Sequence, residues 1–432
     1  MDFNETYDID VLRFFRESIF RRLDLDKIDA VKNDRTELEE EVSNVLQLVS
    51  LDNGQFISNQ VQQNIIKMVC DEISGYGPLN DLMEDDSISD ILINGPNQVY
   101  VEIGGRLEKS NKYFLGNQQL TDIARRLVSK VGRRIDDSQP LVDARLPDGS
   151  RLNVVIAPVA LDGTSMSIRK FGKGKKTLGD LISFGSIDEL IANFLVIAAS
   201  CKINIIISGG TGSGKTTLLN ALSQYINDYE RIVTLEDAAE LKLIKPHVVR
   251  LETRMAGSEN QGVVSMRSLV INSLRMRPDR VIVGECRGEE AFEMLQAMNT
   301  GHDGSMSTLH ANTPRDALSR LESMVMMASA TLPLMAIRRN IASAIHLIIQ
   351  VSRMPDGSRK VMNITEVMGM EGENIILQDI FTFEPAAERD EHGKIQGEFV
   401  FHGLLKRSVV YRQSIVYGLT DTLVELFGGR IL

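Results

Sequence analysis

Residues 209–217 read GGTGSGKTT, with the apolar run INIIIS just before them and a helical pattern, LLNALSQYIN, just after. Glycine, four residues, Gly-Lys-Thr is the spacing of a phosphate-binding loop, and the flanking strand and helix are the context that gives it meaning. Glycines let successive backbone N–H groups converge on phosphate oxygens. The helix N-terminus behind them adds partial positive charge. Lys215 brings a full charge to the β- and γ-phosphates, and Thr216 offers a hydroxyl to Mg²⁺. Gly209, Gly210, Thr211, Gly212, Ser213, Gly214, Lys215, Thr216 and Thr217 are therefore expected to bind nucleotide, with ATP and Mg²⁺ as the cofactors.

A strand–loop–helix unit of this kind needs a parallel sheet around it. From about residue 186 the chain supplies one: INIIIS, RIVTLED, VIVG and MSTLH are short apolar strands separated by helical stretches. Continuous apolar strands between helices mean a parallel sheet covered on both faces. After about 351, RMPDGSRKVMNITEV and NIILQDIFTF read as a smaller β-rich appendix, and LTDTLVELFGG as a last helix. Residues 71–170 have a different texture. ISDILINGP, QVYVEIGG, RLNVVIAPV and TSMSIRKF read as strands, and LTDIARRLVSKVG as a helix ended by Gly132, which makes an α+β domain. GKGKKTLGD, within 171–185, is the best linker in the sequence and the expected hinge. Residues 1–70 read as helices. VLRFFRESIFRRLDL is amphipathic, and the crowding of Arg13, Arg16, Arg21 and Arg22 leaves a membrane-surface helix or docking arm as an alternative to a small helical domain.

Hydrolysis needs a carboxylate that orients or deprotonates water in line with the γ-phosphate. RIVTLEDAAEL runs a strand into Glu236, which is assigned that role, with Asp237 as support and Glu240 beyond. VIVGECRG ends its strand in Gly-Glu where Asp is usual. Glu285, beside a residue with no side chain, reaches the magnesium shell through water. The reverse division, with Glu285 as base and Glu236 structural, stays open. NTGHDGSMSTLHANTP carries His302 and His310; His310, at a strand end, is placed to sense the γ-phosphate. Arginines that could stabilise phosphate charge are Arg145, Arg151 and Arg169 in the α+β domain and Arg254, Arg267, Arg275, Arg277 and Arg287 in the P-loop domain. The Met-rich ESMVMMASA reads as core.

Composition bounds the rest. At 432 residues, two or three domains are expected. A net charge of −11 and an aromatic content of 5% disfavour a nucleic-acid translocase, which needs a basic, aromatic-lined channel. The 3 cysteines are scattered, so neither a disulfide framework nor a zinc site follows. The acidic start, MDFNETYDID, has no signal peptide behind it, and FLVIAAS is too short to span a bilayer.

The motifs GGTGSGKTT, VTLEDAAEL, VIVGECRG and GHDGSMSTLHANTP, in that order, resemble the secretion-ATPase superfamily of type II and type IV secretion and pilus systems. GYGPLNDLMEDDSISDILINGP, GRRIDDSQPLVDARLPDGSRLN and LVINSLRMRPDR look like its CpaF/TadA branch, the ATPase of tight-adherence (Flp) pili. The tetracysteine motif of many type II relatives is absent. The resemblance implies a hexameric ring of subunits, each an N-terminal domain hinged to a RecA-like domain with ATP between them. It implies cytoplasmic location and attachment to the membrane through inner-membrane platform proteins. It also implies that Arg145, Arg151 and Arg169 contact nucleotide. A nucleotide-binding scaffold that barely hydrolyses is a competing class, and the presence of both Glu236 and Glu285 argues against it.

Overall fold

Leu12, Phe15 and Ile19 recur at helical spacing, and they form the buried stripe of α1 (Ile9–Arg22). The computed structural model describes residues 9–171, 176–254, 262–329, 331–391 and 393–431, so residues 172–175 of the expected linker lie outside the described residues. The chain divides into two compact units, Met1–Lys173 and Gly174–Leu432.

In the first unit α1 packs with α2 (Leu25–Val31), α3 (Arg35–Asn53) and α4 (Asn59–Ser74). Asp24, Asp34 and Ser58 accept from the first-turn amides of the last three helices, and Gly54, at φ 62°, ends α3. Two of the four arginines of α1 turn inward rather than toward a membrane. Arg16 is buried against Glu72 on α4, and Arg13 donates to the Leu115 carbonyl at 2.7 Å. Gln119 completes the pocket by donating to Glu72 Oε2 at 2.8 Å. Arg21 and Arg22 pair with Glu17 and Asp52. Removing one side of a buried pair like Arg16–Glu72 costs about 3–5 kcal/mol, so this clamp fixes α1 firmly.

The α+β part of this unit follows through α5 (Asn80–Glu84), β1 (Ile88–Asn94), β2 (Val99–Ile103), β3 (Arg106–Lys109), α6 (Asn117–Lys130), β4 (Leu141–Arg145), β5 (Arg151–Val155) and β6 (Ser165–Arg169). The strands form one antiparallel sheet in the order β3-β2-β1-β6-β5-β4. Leu120, Ile123 and Leu127 of α6 join its apolar face.

The second unit opens with α7 (Leu178–Ser183), started by a reciprocal Thr177–Asp180 capping box, and α8 (Glu189–Ser200). FLVIAAS lies in α8 and is core, with Phe194 and Leu195 fully buried. The chain continues through β7 (Ile205–Gly209), α9 (Lys215–Ser223), β8 (Ile232–Glu236), β9 (Val248–Glu252), α10 (Met266–Ser273), β10 (Arg280–Val283), α11 (Glu290–Asn299), β11 (Met306–Leu309), α12 (Pro314–Ala328) and α13 (Leu334–Ala344). It ends with β12 (Leu347–Arg353), β13 (Arg359–Glu371), β14 (Asn374–Arg389), β15 (Ile395–Phe401), α14 (Val409–Val416) and α15 (Thr420–Leu426).

One sheet holds these strands in the order β15-β14-β13-β12-β7-β11-β10-β8-β9. From β12 to β9 every pairing is parallel, and from β12 to β15 every pairing is antiparallel. The alternation of β7 sends Ile205 and Ile207 into the core beneath α8 and α9, and Ile206 into the opposite core with α10–α13. This is the α/β architecture expected of a RecA-like P-loop domain. The residues after 351 are not a separate appendix. β12 starts at Leu347 and pairs directly with the P-loop strand, so the β-rich tail extends the main sheet. The Met-rich run divides: Met324 is core, whereas Met326 and Met327 are exposed. No helix among the described residues is long and apolar enough to cross a membrane.

Candidate active site

Parallel strands place their carboxyl ends on one edge, and there β7, β11, β10 and β8 deliver Gly209, His310, Gly284–Glu285 and Glu236 side by side. Open α/β sheets bind their ligands at that edge. Gly209 ends β7 against β12, where a side chain would overlap the Val351 carbonyl oxygen. Gly212 and Gly214 take φ 68° and 98°, which bends the loop into a cradle before α9 begins at Lys215. Ser213 Oγ braces the loop from within by donating to the Gly210 carbonyl at 2.9 Å. Thr216 and Thr217 are half-buried in the first turn of α9.

Lys215 is 7% exposed. Its Nζ donates to the carbonyls of Gly209 and Gly210, both at 2.8 Å. Burial lowers its pKa, and Glu285 and Glu240 oppose that shift. Of these two carboxylates, Glu285 has the larger influence on Lys215. Glu236 stands on β8, with β10 and β11 between it and the P-loop strand.

The two acids on adjacent strands are held differently. Glu236 is 3% exposed, and its Oε1 accepts from the backbone N–H groups of Glu240 and Leu241 at 2.7 and 2.8 Å. Burial raises its pKa against the pull of those two amides. Its Oε2 is buried with no hydrogen bond. Burial pushes Glu285 up as well, but Arg287, His310 and Lys215 together bring it below the usual carboxylate range. Arg287 donates to Glu285 Oε2 at 2.7 Å. His310 Nε2 stands 2.8 Å from Glu285 Oε1, a buried oxygen that no other group contacts by hydrogen bond. Burial and the Lys215 charge lower the pKa of His310, which keeps its ring neutral near pH 7.

Buried polar atoms normally find partners, and an orphan marks a missing ligand or a functional strain. An orphan oxygen on Glu236, the half-buried carboxylate of Glu285, a half-buried threonine hydroxyl and a lysine folded back onto its own loop fit a magnesium–nucleotide complex. The oxygen-only donor set suits a hard cation.

Asp237 stands at the rim of the site, exposed, 3.9 Å from Arg287 and accepting from Thr253 Oγ1 at 3.2 Å; the other expected residues lie elsewhere. His302 sits before β11, at the opposite end of that strand from His310, with Nδ1 near the Ala297 carbonyl. Arg275 and Arg277 precede β10 at the far edge of the sheet. Arg267 is committed to Glu289 and Glu293, and Arg254 pairs by backbone with Val264. In the first unit, Arg145 faces Arg151 across β4–β5, Arg151 faces Arg169 across β5–β6, and Arg169 faces Asp90 on β1. The three arginines thus form a single cross-strand row, ended by the Arg169–Asp90 bond at 3.0 Å.

Two arginines escape sequence reading. Arg353 and Arg359 face each other across the β12–β13 turn. Arg359 Nε donates to the Gly212 carbonyl at 2.9 Å, and Arg353 reaches toward the same glycine. The PDGS turn between two strands could have paired them, but only the β12–β7 adjacency brings them to the P-loop.

P-loop nucleotide hydrolases divide their work between a glycine cradle and acids on neighbouring strand ends, and this chain has the construction of that class. Residues 72–406 match the family described as "Type II/IV secretion system protein", and the chain belongs to it; it is an ATPase of that family. A putative conjugal transfer protein of Mycobacterium tuberculosis is 37% identical over 313 residues, covering 71% of this chain and 88% of that protein. The type IV secretion system protein VirB11 of Bartonella quintana is 32% identical over 328 residues, covering 66% and 90%. Among solved structures, the VirB11 ATPase of the Brucella suis type IV secretion system, in complex with sulphate, is 28% identical with a TM-score of 0.36, covering 66% of this chain and 94% of that one. The pilus retraction motor PilT with bound ADP is 18% identical with a TM-score of 0.48, covering 82% and 92%.

Proposed function

We propose that this chain is the ATP-driven motor subunit of a secretion or pilus apparatus of the CpaF/TadA type. It acts in the cytoplasm as a homo-hexamer on inner-membrane platform proteins, and turnover moves its two units relative to each other. The observation that carries the reading is the pair of acids at the ends of β8 and β10, Glu236 with an unpaired buried oxygen and Glu285 beside His310, at the same sheet edge as the P-loop. The relatedness to conjugal-transfer and type IV secretion proteins supports a transport machine over a free-standing hydrolase.

In this reading Gly209–Thr217 cradles the phosphates, and Lys215 leaves its loop carbonyls for phosphate oxygens. Glu236, anchored through Oε1, takes a proton from water at Oε2. Glu285, through water, and the Thr216 hydroxyl would hold magnesium, which would supply charge neutralisation at the phosphates. His310, neutral and beside Glu285, senses that phosphate. Arg145, Arg151 and Arg169 supply cationic charge to the nucleotide.

One observation favours exchanging the two acids. Glu285 rather than Glu236 is among the carboxylates that act on Lys215, and Glu236 is the more deeply buried. Glu285 would then be the base and Glu236 a brace for the 237–241 turn.

The site assignment is tested by Lys215→Ala. ATPase activity should fall to background while circular dichroism and the melting profile stay those of the parent. Parental turnover in this variant removes the assignment.

A further inference from the structure

At the end of the sheet away from the P-loop, a groove of about 470 Å³ runs between α13 and α14. Ala342, His346, Met368, Arg407, Arg412 and Val416 are among its walls. We infer that this groove docks an acidic segment of a partner protein that also carries apolar side chains.

The polar lining offers donors and positive charge. Neither guanidinium, Arg407 nor Arg412, has an ion pair or side-chain hydrogen bond among the described residues, in a chain whose net charge is −11. His346 Nδ1 accepts from the Asn204 N–H at 3.1 Å, which fixes the neutral tautomer with Nε2 as the donor. The single carboxylate, Glu366, is 1% exposed, and its Oε1 accepts from Ser408 Oγ at 2.7 Å and the Val409 N–H at 2.8 Å. Among the lining residues two cations face one buried, capped carboxylate, with Arg412 acting electrostatically on Glu366 and Asp303 acting on His346 from outside the lining.

Beside it, α14 and the residue after it expose Ile415, Val416 and Tyr417 at 58%, 75% and 42%. Three consecutive apolar side chains left in water next to unpaired arginines match a peptide that alternates carboxylates with apolar residues. A lipid surface suits the groove less well, because a flat plane of headgroups does not enter a concave cleft between two helices as an extended or helical peptide does.

The position has a mechanical corollary. β12 begins at the groove beside His346 and ends at the P-loop, where Val351 lies against Gly209. β13 begins with Arg359 on the Gly212 carbonyl and runs back to Glu366. One hairpin thus spans from docking groove to nucleotide cradle. Docking itself does not require the nucleotide-site assignment.

The test uses the full chain and a labelled peptide of about twelve residues built from Glu-Glu-Leu-Leu repeats, followed by fluorescence anisotropy. Binding should weaken with salt and fall at least ~10-fold when Gln replaces Glu in the peptide, or in Arg407→Glu/Arg412→Glu. Arg407→Lys/Arg412→Lys should retain most of it, and basal ATPase activity should not change in either variant. The inference is overturned if the folded parent binds no peptide, if the Gln peptide binds equally, or if charge reversal leaves affinity intact. Arginine-dependent binding to phosphatidylglycerol vesicles without peptide binding overturns it in favour of a membrane contact.

Discussion

A Cβ on Gly284 would stand 2.9 Å from Cγ of Glu236. The glycine that follows β10 is thus a demand of the neighbouring strand: any side chain there would displace the buried acid of β8. Glu285, one residue on, supplies the carboxylate that a shorter Asp at position 284 could not without that collision. Gly284→Ala should therefore act through Glu236. Overpacking costs about 1–3 kcal/mol, so the fold survives. Turnover should drop at least ~100-fold with KM for ATP little changed, because a general base acts in the transition state rather than in binding. Steady-state kinetics beside a thermal melt checks this, and parental kcat would show that Glu236 tolerates displacement.

The row Arg145–Arg151–Arg169 sets like charges directly opposite one another across β4, β5 and β6. If the row serves a nucleotide phosphate, neutralising its centre should separate stability from activity. Arg151→Gln is expected to stay folded while kcat falls ~10-fold or more. A loss of stability with unchanged turnover would make the row structural.

His346 gives a pH dependence of defined sign. Burial holds its pKa down at about 4, so the folded ring stays neutral where the unfolded one charges. The unfolded chain therefore binds the extra proton between pH 6.5 and about 4, and stability is full above that window and lost as pH falls through it. By pH 5 the loss is about 2 kcal/mol. His346→Asn, which keeps an acceptor for the Asn204 N–H, should flatten the decline. Urea unfolding of the Gly174–Leu432 unit at pH 7 and pH 5 measures it, and equal slopes in parent and variant would refute the linkage.

Much of the site is legible in the sequence because its signals are local. GGTGSGKTT sets its own cradle, and apolar runs ending in Glu236, Gly284–Glu285 and His310 mark strand ends that a parallel sheet must align. What stays hidden is set by strand order. Nothing local says that β11 and β10 separate β8 from β7, which is why Glu236 reads as adjacent to the P-loop although Glu285 rather than Glu236 is among the acids acting on Lys215. The same ignorance of order turns the strands after 351 into an apparent appendix and hides Arg353 and Arg359. In α1, the helical period is plain, but the inward turn of Arg16 depends on Glu72, 56 residues away. Charge crowding alone cannot tell such a buried clamp from a membrane-facing strip.

The division of labour between the two acids is the centre of this account, and pre-steady-state hydrolysis by Glu236→Gln and Glu285→Gln tests it most directly. Each variant is loaded with ATP at varied Mg²⁺, nucleotide binding is measured first, and phosphate release is then followed through one turnover. Glu236→Gln should bind Mg·ATP like the parent and hydrolyse it at least ~100-fold more slowly, whereas Glu285→Gln should need more Mg²⁺ and recover part of its rate when it is supplied. Rapid hydrolysis by Glu236→Gln, with a loss in Glu285→Gln that no Mg²⁺ concentration repairs, would contradict the account and make Glu285 the base.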